Sequence, residues 1–204
     1  MSMAGWLSPN KNSGSGNDTV VFSALSQNTG RNARSTNGTF SAADVQDVVV
    51  VASQAGKPEF VSLQASAAVS KDGTLALTLS GTTNSSKLTF ALGQNNTLPL
   101  TLPATYLANS VQTNNGEAIS GDPGASSEFH FSITFENIPA NTEVEALVAQ
   151  VIVTDNAGHT STCTVTQAAG DATLSVSPLT VELPWDASTT VSVSVTSNTN
   201  WELS

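Results

Sequence analysis

Val48-Val49-Val50-Val51-Ala52-Ser53-Gln54-Ala55-Gly56 decides how this chain is to be read. The phrase returns at Cys163-Thr164-Val165-Thr166-Gln167-Ala168-Ala169-Gly170. Each copy is a β-branched run, the kind of side chain that suits a pleated, half-buried surface. Each ends in Gln-Ala and then Gly, and each leads at once into a fresh strand-forming segment, Glu59-Phe60-Val61-Ser62-Leu63 and Thr173-Leu174-Ser175-Val176. Two matching closing strands, each followed by a new opening strand, read as beads joined by minimal linkers. The boundaries fall near Lys57-Pro58 and Gly170-Asp171, giving segments 1–57, 58–170 and 171–204. The middle bead, about 113 residues, is a comfortable size for one domain.

Working outward, strand patterns fill the chain and helical periodicity is almost absent. Strands are expected at Thr19 to Leu25, Val45 to Ala52, Thr74 to Leu79, Lys87 to Leu92, Glu128 to Phe135, Ser161 to Gln167, Thr173 to Val176, Thr180 to Leu183 and Thr189 to Thr196. Glu143 to Gln150 is the one helical candidate, but Val144, Ala146 and Val148 alternate there, and Glu143 to Thr154 reads as one long strand. The separators are Asn37-Gly38, Asp72-Gly73, Asn115-Gly116, Asp122-Pro123-Gly124 and Asn156-Ala157-Gly158, all residues that favour turns. Short strands at this spacing predict an all-β protein of tandem β-sandwiches.

Composition agrees. Hydrophobic residues make up 39% of the 204 and charged ones only 11%, too apolar and too weakly charged for a disordered polymer. The net charge of −10 comes from 16 scattered acids against 6 bases, which repels a phosphate backbone, so no nucleic-acid partner is expected. No segment reaches the ~20 apolar residues of a membrane span, so no membrane partner is expected either. The N-terminus has no basic region followed by an apolar run, and no secretory signal peptide is read there. Cys163 is the only cysteine and alternates with its neighbours as in a strand, so it reads as a small buried hydrophobe.

The flanking segments resemble the BACON domain, an immunoglobulin-like β-sandwich of Bacteroidetes proteins and their crAss-like phages. The family's opening pattern is matched by Leu174, Val176, Ser177-Pro178, Val181, Val191, Val193, Val195, Asn198 and Trp201. Its closing pattern is matched by Trp6-Leu7, Gly14 to Gly16, Val20-Val21, Asn28, Arg31, Ala33, Val49, Val51 and Gln54. The middle bead resembles a generic immunoglobulin-like domain, with Val153-Thr154-Asp155-Asn156-Ala157-Gly158 as the hairpin before its last strand. About 90 residues are covered by the first resemblance.

The two halves stand in the reverse of the family's order. Segment 1–57 reads as the closing half of a sandwich and 171–204 as the opening half, with Trp6 and Trp201 at family core positions. A half-sandwich cannot bury its core alone. The halves can close within one chain, between neighbouring chains, or with segments of a longer polypeptide. First and last strands of a sandwich usually exit at opposite ends, which favours beads on a string over closure within one chain, and an exposed sheet edge is a template for pairing. The resemblance implies a non-enzymatic structural protein of a Bacteroidetes-infecting phage virion, a capsid-associated, fibre or tail component. Its partners would be copies of itself or other virion proteins. The Met1-Ser2-Met3 start reads as native. The alternative is a carbohydrate-binding module of a bacterial cell-surface or extracellular protein, with Trp185, in a turn after Pro184, as the sugar or partner contact.

Chemistry-bearing residues do not add up to an active site. His130 and His159 are the only histidines and lack the partners a zinc site needs. No Gly-x-Ser-x-Gly elbow occurs. Glu143 and Glu145 read as solvated acids on one strand face, and Asp122, Asp155 and Asn156 as turn residues rather than calcium ligands. Arg31 and Arg34 are expected to satisfy local carboxylates or carbonyls. No enzyme activity and no cofactor are expected.

Overall fold

A computed structural model describes residues 4–204; the Met1-Ser2-Met3 start lies outside them. The chain forms β1 (Leu7–Pro9), β2 (Phe22–Ala24), β3 (Arg34–Ala42), β4 (Val45–Gln54), β5 (Val61–Leu63), β6 (Ser66–Val69), β7 (Thr74–Thr83) and β8 (Leu88–Leu92). It continues with β9 (Thr105–Ala108), β10 (Val111–Asn114), β11 (Phe129–Ile138), β12 (Leu147–Asp155), β13 (Thr160–Gln167), β14 (Leu174–Ser177) and β15 (Ser194–Ser197). The protein is all-β, as expected. Its one helical element among the described residues is a single 3-10 turn, Pro123–Ala125.

Two sheets face each other as a β-sandwich. One has the order β10-β9-β11-β7-β5 and the other β6-β13-β12-β8. All pairings are antiparallel except β6 beside β13. Alternation along the strands sends every second side chain inward, so Leu79, Phe131, Ile133 and Phe135 of one sheet meet Phe90, Val151, Val153, Cys163 and Val165 of the other, all essentially out of solvent. Each large apolar side chain buried this way contributes roughly 1.5–3 kcal/mol. Three further sheets have only two strands each: β1-β2, β3-β4 and β14-β15.

Several expected elements are corrected. Asn37-Gly38 is not a turn but lies inside β3, where Gly38 is buried opposite Val50; the hairpin turns instead at Ala43-Asp44, with Asp44 at φ +59°. Glu143 to Glu145 do not begin the long strand. They form a bend, held because Asn141 Nδ2 donates to the Glu145 carbonyl at 2.8 Å and Gly170 N to the Glu143 carbonyl at 2.7 Å, so β12 starts at Leu147. Thr19 to Leu25 shortens to Phe22–Ala24. Thr180 to Leu183 forms no strand, and of Thr189 to Thr196 only the end, in Ser194–Ser197, does. A strand persists only where a neighbour takes its N–H and C=O groups, and residues 178–193 have no such neighbour among the described residues.

Candidate assembly surfaces

The sandwich meets the preceding segment through Arg31 and Asn84. Arg31 donates to the Asn84 carbonyl and to Asp122 Oδ1, both at 2.8 Å, and its second guanidinium nitrogen pairs with Asp122 Oδ2. Glu59 lies 3.7 Å from its Nε. The fork geometry of guanidinium on carboxylate makes this a directional clamp. Asn84 is fully buried. Its Oδ1 accepts from Phe60 N at 3.1 Å, and its Nδ2 donates to the carbonyls of Thr29, Lys57 and Pro58. Arg31 N and Asn32 N donate to the Gly124 and Ala125 carbonyls at 2.9 and 3.0 Å, so backbone meets backbone as well.

The other end of the sandwich carries the same device. Asn198 Oδ1 accepts from Thr173 N, and its Nδ2 donates to the carbonyls of Thr142 and Asp171. Thr173, Thr142 and Asp171 stand 113 residues after Phe60, Thr29 and Pro58, and Asn198 stands 114 after Asn84. Next to it Ser197 Oγ donates to the Thr173 carbonyl as Thr83 Oγ1 does to that of Phe60. Upstream the spacing is 113 throughout. Asn28 Nδ2 bridges the Asn32 and Ala55 carbonyls as Asn141 Nδ2 bridges those of Glu145 and Ala168. Gln54 reaches the Ser26 carbonyl as Gln167 reaches that of Pro139. The Arg31 clamp is not repeated, since Val144 stands at the corresponding place. Instead Lys71 pairs with Asp171 at 2.9 Å, and the Asp171 and Asp72 carboxylates hold its ammonium pKa above the ordinary lysine value.

Outside the sandwich large apolar side chains stay in solvent. In the β3–β4 hairpin these are Phe40, Val45, Val48, Val49, Val50 and Val51; in the last segment they include Leu174, Leu179, Leu183, Val191 and Val193. Isolated exposed hydrophobics are normal, but contiguous ones mark interaction surfaces. Beside the hairpin lies an open groove of about 790 Å³ whose apolar lining is Pro9, Val20, Phe22 and Phe40. The two exposed surfaces do not pair with each other: β3-β4 and β14-β15 are separate two-stranded sheets.

The tryptophans fall in three settings. Trp6 is half-buried with the Arg34 guanidinium 4.8 Å from its ring centroid, and Arg34 also donates to Gln54 Oε1 and the Ser26 carbonyl. Trp201 is 52% exposed and Trp185, in its turn, 97% exposed. The structure does not bring Trp6 and Trp201 together in one core. Asp122 is engaged by Arg31, and buried Asp155 accepts from His159 N and pairs with its ring Nδ1, both at 2.8 Å. His130 is exposed in β11. Among the described residues no three His, Cys, Asp or Glu side chains converge on one point. Burial pushes the Cys163 thiol above its ordinary value, which keeps it protonated. No helix among the described residues is long and apolar enough to cross a membrane. No family model matches the chain, and no curated protein matches it.

Asn28, Asn84, Asn141 and Asn198 hold the joints, a role that no local motif around them announces. Their signal was present as a spacing of 113 or 114 residues between asparagines. It is faint in a chain rich in asparagine, because only the carbonyls around each one give it meaning.

Proposed function

We propose that this chain is a structural protein built of tandem immunoglobulin-like sandwiches, in which residues 1–57 and 171–204 are parts of further modules completed by assembly. One observation carries the reading: Phe40, Val50, Val176, Leu183 and Val193 are exposed, while their counterparts in the central sandwich, Val153, Cys163, Leu63, Val69 and Leu79, are buried. Burying them supplies the driving force for association. The BACON-like patterns in the flanks support placement in a phage virion as a capsid-associated, fibre or tail component. The test is solution mass by light scattering across a concentration series of the 204-residue chain. Mass that climbs in steps is expected; a monomer at every concentration overturns the assembly reading.

A second reading, glycan adhesion at a bacterial surface, is favoured by one feature. The indole of Trp185 stands almost wholly in solvent at a turn, where it can stack on a sugar ring. Quenching of tryptophan emission by mucin-type oligosaccharides, lost in Trp185→Phe, is the result this reading requires.

A further inference from the structure

We infer that the free edge of β4 accepts, as a parallel strand, residues Thr180–Leu183 of a second copy of this chain, in a register that the central sandwich dictates. The inference rests on the assembly reading above and names its contact.

The hairpin β3–β4 is the counterpart of β12–β13. Arg34 stands opposite Gln54 as Leu147 stands opposite Gln167, 113 residues on. In the central sandwich β13 holds β6 along its outer edge, with Thr164, Val165, Thr166 and Gln167 beside Ser66, Ala67, Ala68 and Val69. The same edge of β4 holds nothing among the described residues. It is an unpaired template with exposed apolar side chains, the setting in which an added strand gains ladder bonds and buried area together.

The last segment has the matching strand. β14 pairs with β15 in the register of β5 on β7: Leu174, Ser175 and Val176 oppose Ser197, Thr196 and Val195, as Val61, Ser62 and Leu63 oppose Thr83, Thr82 and Gly81. The turn Lys71-Asp72-Gly73 recurs as Trp185-Asp186-Ala187. Gly73 N bonds the Ser70 carbonyl and Ala187 N bonds that of Pro184, and Gly73 and Ala187 take φ +79° and +53°. Counting back from this turn places Thr180, Val181, Glu182 and Leu183 where β6 has Ser66, Ala67, Ala68 and Val69. The register on β4 is therefore Val51 beside Thr180, Ala52 beside Val181, Ser53 beside Glu182 and Gln54 beside Leu183. Val181 and Leu183 then point inward, which explains the alternation Leu179, Val181, Leu183 in a stretch that has no strand partner among the described residues.

The same docking fills the groove. Its wall residues Val20, Phe22 and Phe40 are counterparts of Ile133, Phe135 and Val153, all buried. Val176, Val191 and Val193 of the incoming copy are counterparts of Leu63, Leu77 and Leu79, which pack on those residues' sheet and core in the central sandwich. The second copy is chosen over residues 180–183 of the same chain because the joints hold the two flanking segments apart. Asn84 lies just past the end of β7, beside the start of β11; Thr142, bonded by Asn198, lies past the end of β11. A ten-residue strand separates them by about 30 Å.

Disulfide trapping tests the register. Ser53 and Glu182 correspond to Thr166 and Ala68, both solvent-facing, so cysteines there leave each core intact, and native Cys163 is buried. Ser53→Cys chains are mixed with Glu182→Cys chains under a glutathione redox buffer, with Ser53→Cys and Thr190→Cys as the off-register pair, and mass is followed in parallel. The expected result is a mixed dimer forming at least ten times faster for the first pair. Rising mass with no preference between pairs overturns the register and leaves the assembly reading standing. A rapid intrachain bridge in the double variant Ser53→Cys/Glu182→Cys at high dilution overturns the second copy as donor. A monomer throughout, with no cross-link, overturns both readings.

Discussion

The hairpins β3–β4 and β12–β13 have the same register and opposite surroundings. In β12–β13, Val151, Val153, Cys163 and Val165 have no exposed surface, because β6 and β8 flank the pair and the second sheet covers it. In β3–β4 the corresponding Val50 is 40% exposed and Phe40 is 44% exposed. The backbone pairing is therefore local and survives without cover, while burial is a property of the neighbours. Polar anchoring differs too. Gln54 Oε1 accepts from Arg34 Nε, whereas Gln167 Oε1 is buried without a partner because Leu147 stands where Arg34 would be. The covered hairpin spends that position on an apolar contact and the uncovered one on a part-buried hydrogen bond.

The sharpest way to break this comparison is to put a charge at the matched position of each hairpin. Cys163→Asp buries a carboxylate with no basic partner and is expected to cost on the order of 4 kcal/mol or more, enough to abolish the cooperative melt of the sandwich. Val50→Asp should move that melt by less than about 0.5 kcal/mol, as a surface change does, yet weaken self-association at least tenfold. Calorimetry and light scattering on both variants decide it. Equal loss of melting temperature in the two would mean that β3–β4 and the sandwich unfold as one unit.

The two asparagine joints give the next contrast. Asn84→Ala strips four backbone groups of their partner at a fully buried site, and a loss of about 2–3 kcal/mol in urea unfolding is expected. Asn198→Ala removes the equivalent bonds where water can replace them, and less than about 1 kcal/mol should follow for the unassembled chain. Arg31 sharpens the first joint further. A double-mutant cycle of Arg31→Met with Asp122→Asn should return a coupling of about 1 kcal/mol that shrinks with added salt, since both side chains are partly exposed. A coupling near zero would leave Asn84 and the backbone bonds from Arg31 N and Asn32 N to hold the joint.

The closing strands were readable because valine runs, Gln-Ala and a terminal glycine are local signals, and the sandwich followed from turn chemistry at Asp72-Gly73, Asn115-Gly116 and Asn156-Ala157-Gly158. Asn37-Gly38 misled because a glycine opposite Val50 inside a strand looks, in sequence, like a glycine in a turn. The short strands β6, β9 and β10 carried too few alternating residues to stand out. Thr180 to Leu183 had the opposite fate: the pattern is strong, but a ladder needs a neighbour that pattern alone cannot provide. Arg31 was readable as a residue seeking carboxylates, not as the clamp across a joint, because Asp122 and Glu59 are distant in sequence.

Trp185 offers the smallest effect and separates the two functional readings. Its counterpart in the central sandwich is Lys71, which lies against Asp171 in the following linker. A completed module therefore places Trp185 beside the counterpart of Asp171, which is Pro58 of the second copy. Three tryptophans emit together, so the measurement is made as the difference between the chain and its Trp185→Phe variant. At low concentration that difference spectrum should be red-shifted and freely quenched by acrylamide, as expected for an indole with 97% of its surface in solvent. Raising the concentration should shift it to the blue and cut the quenching about twofold, while the melt of the unassembled chain changes by less than about 0.5 kcal/mol on substitution. An indole that stays fully quenchable in the assembled state would be one that assembly leaves free, and glycan stacking would then be the role its exposure serves.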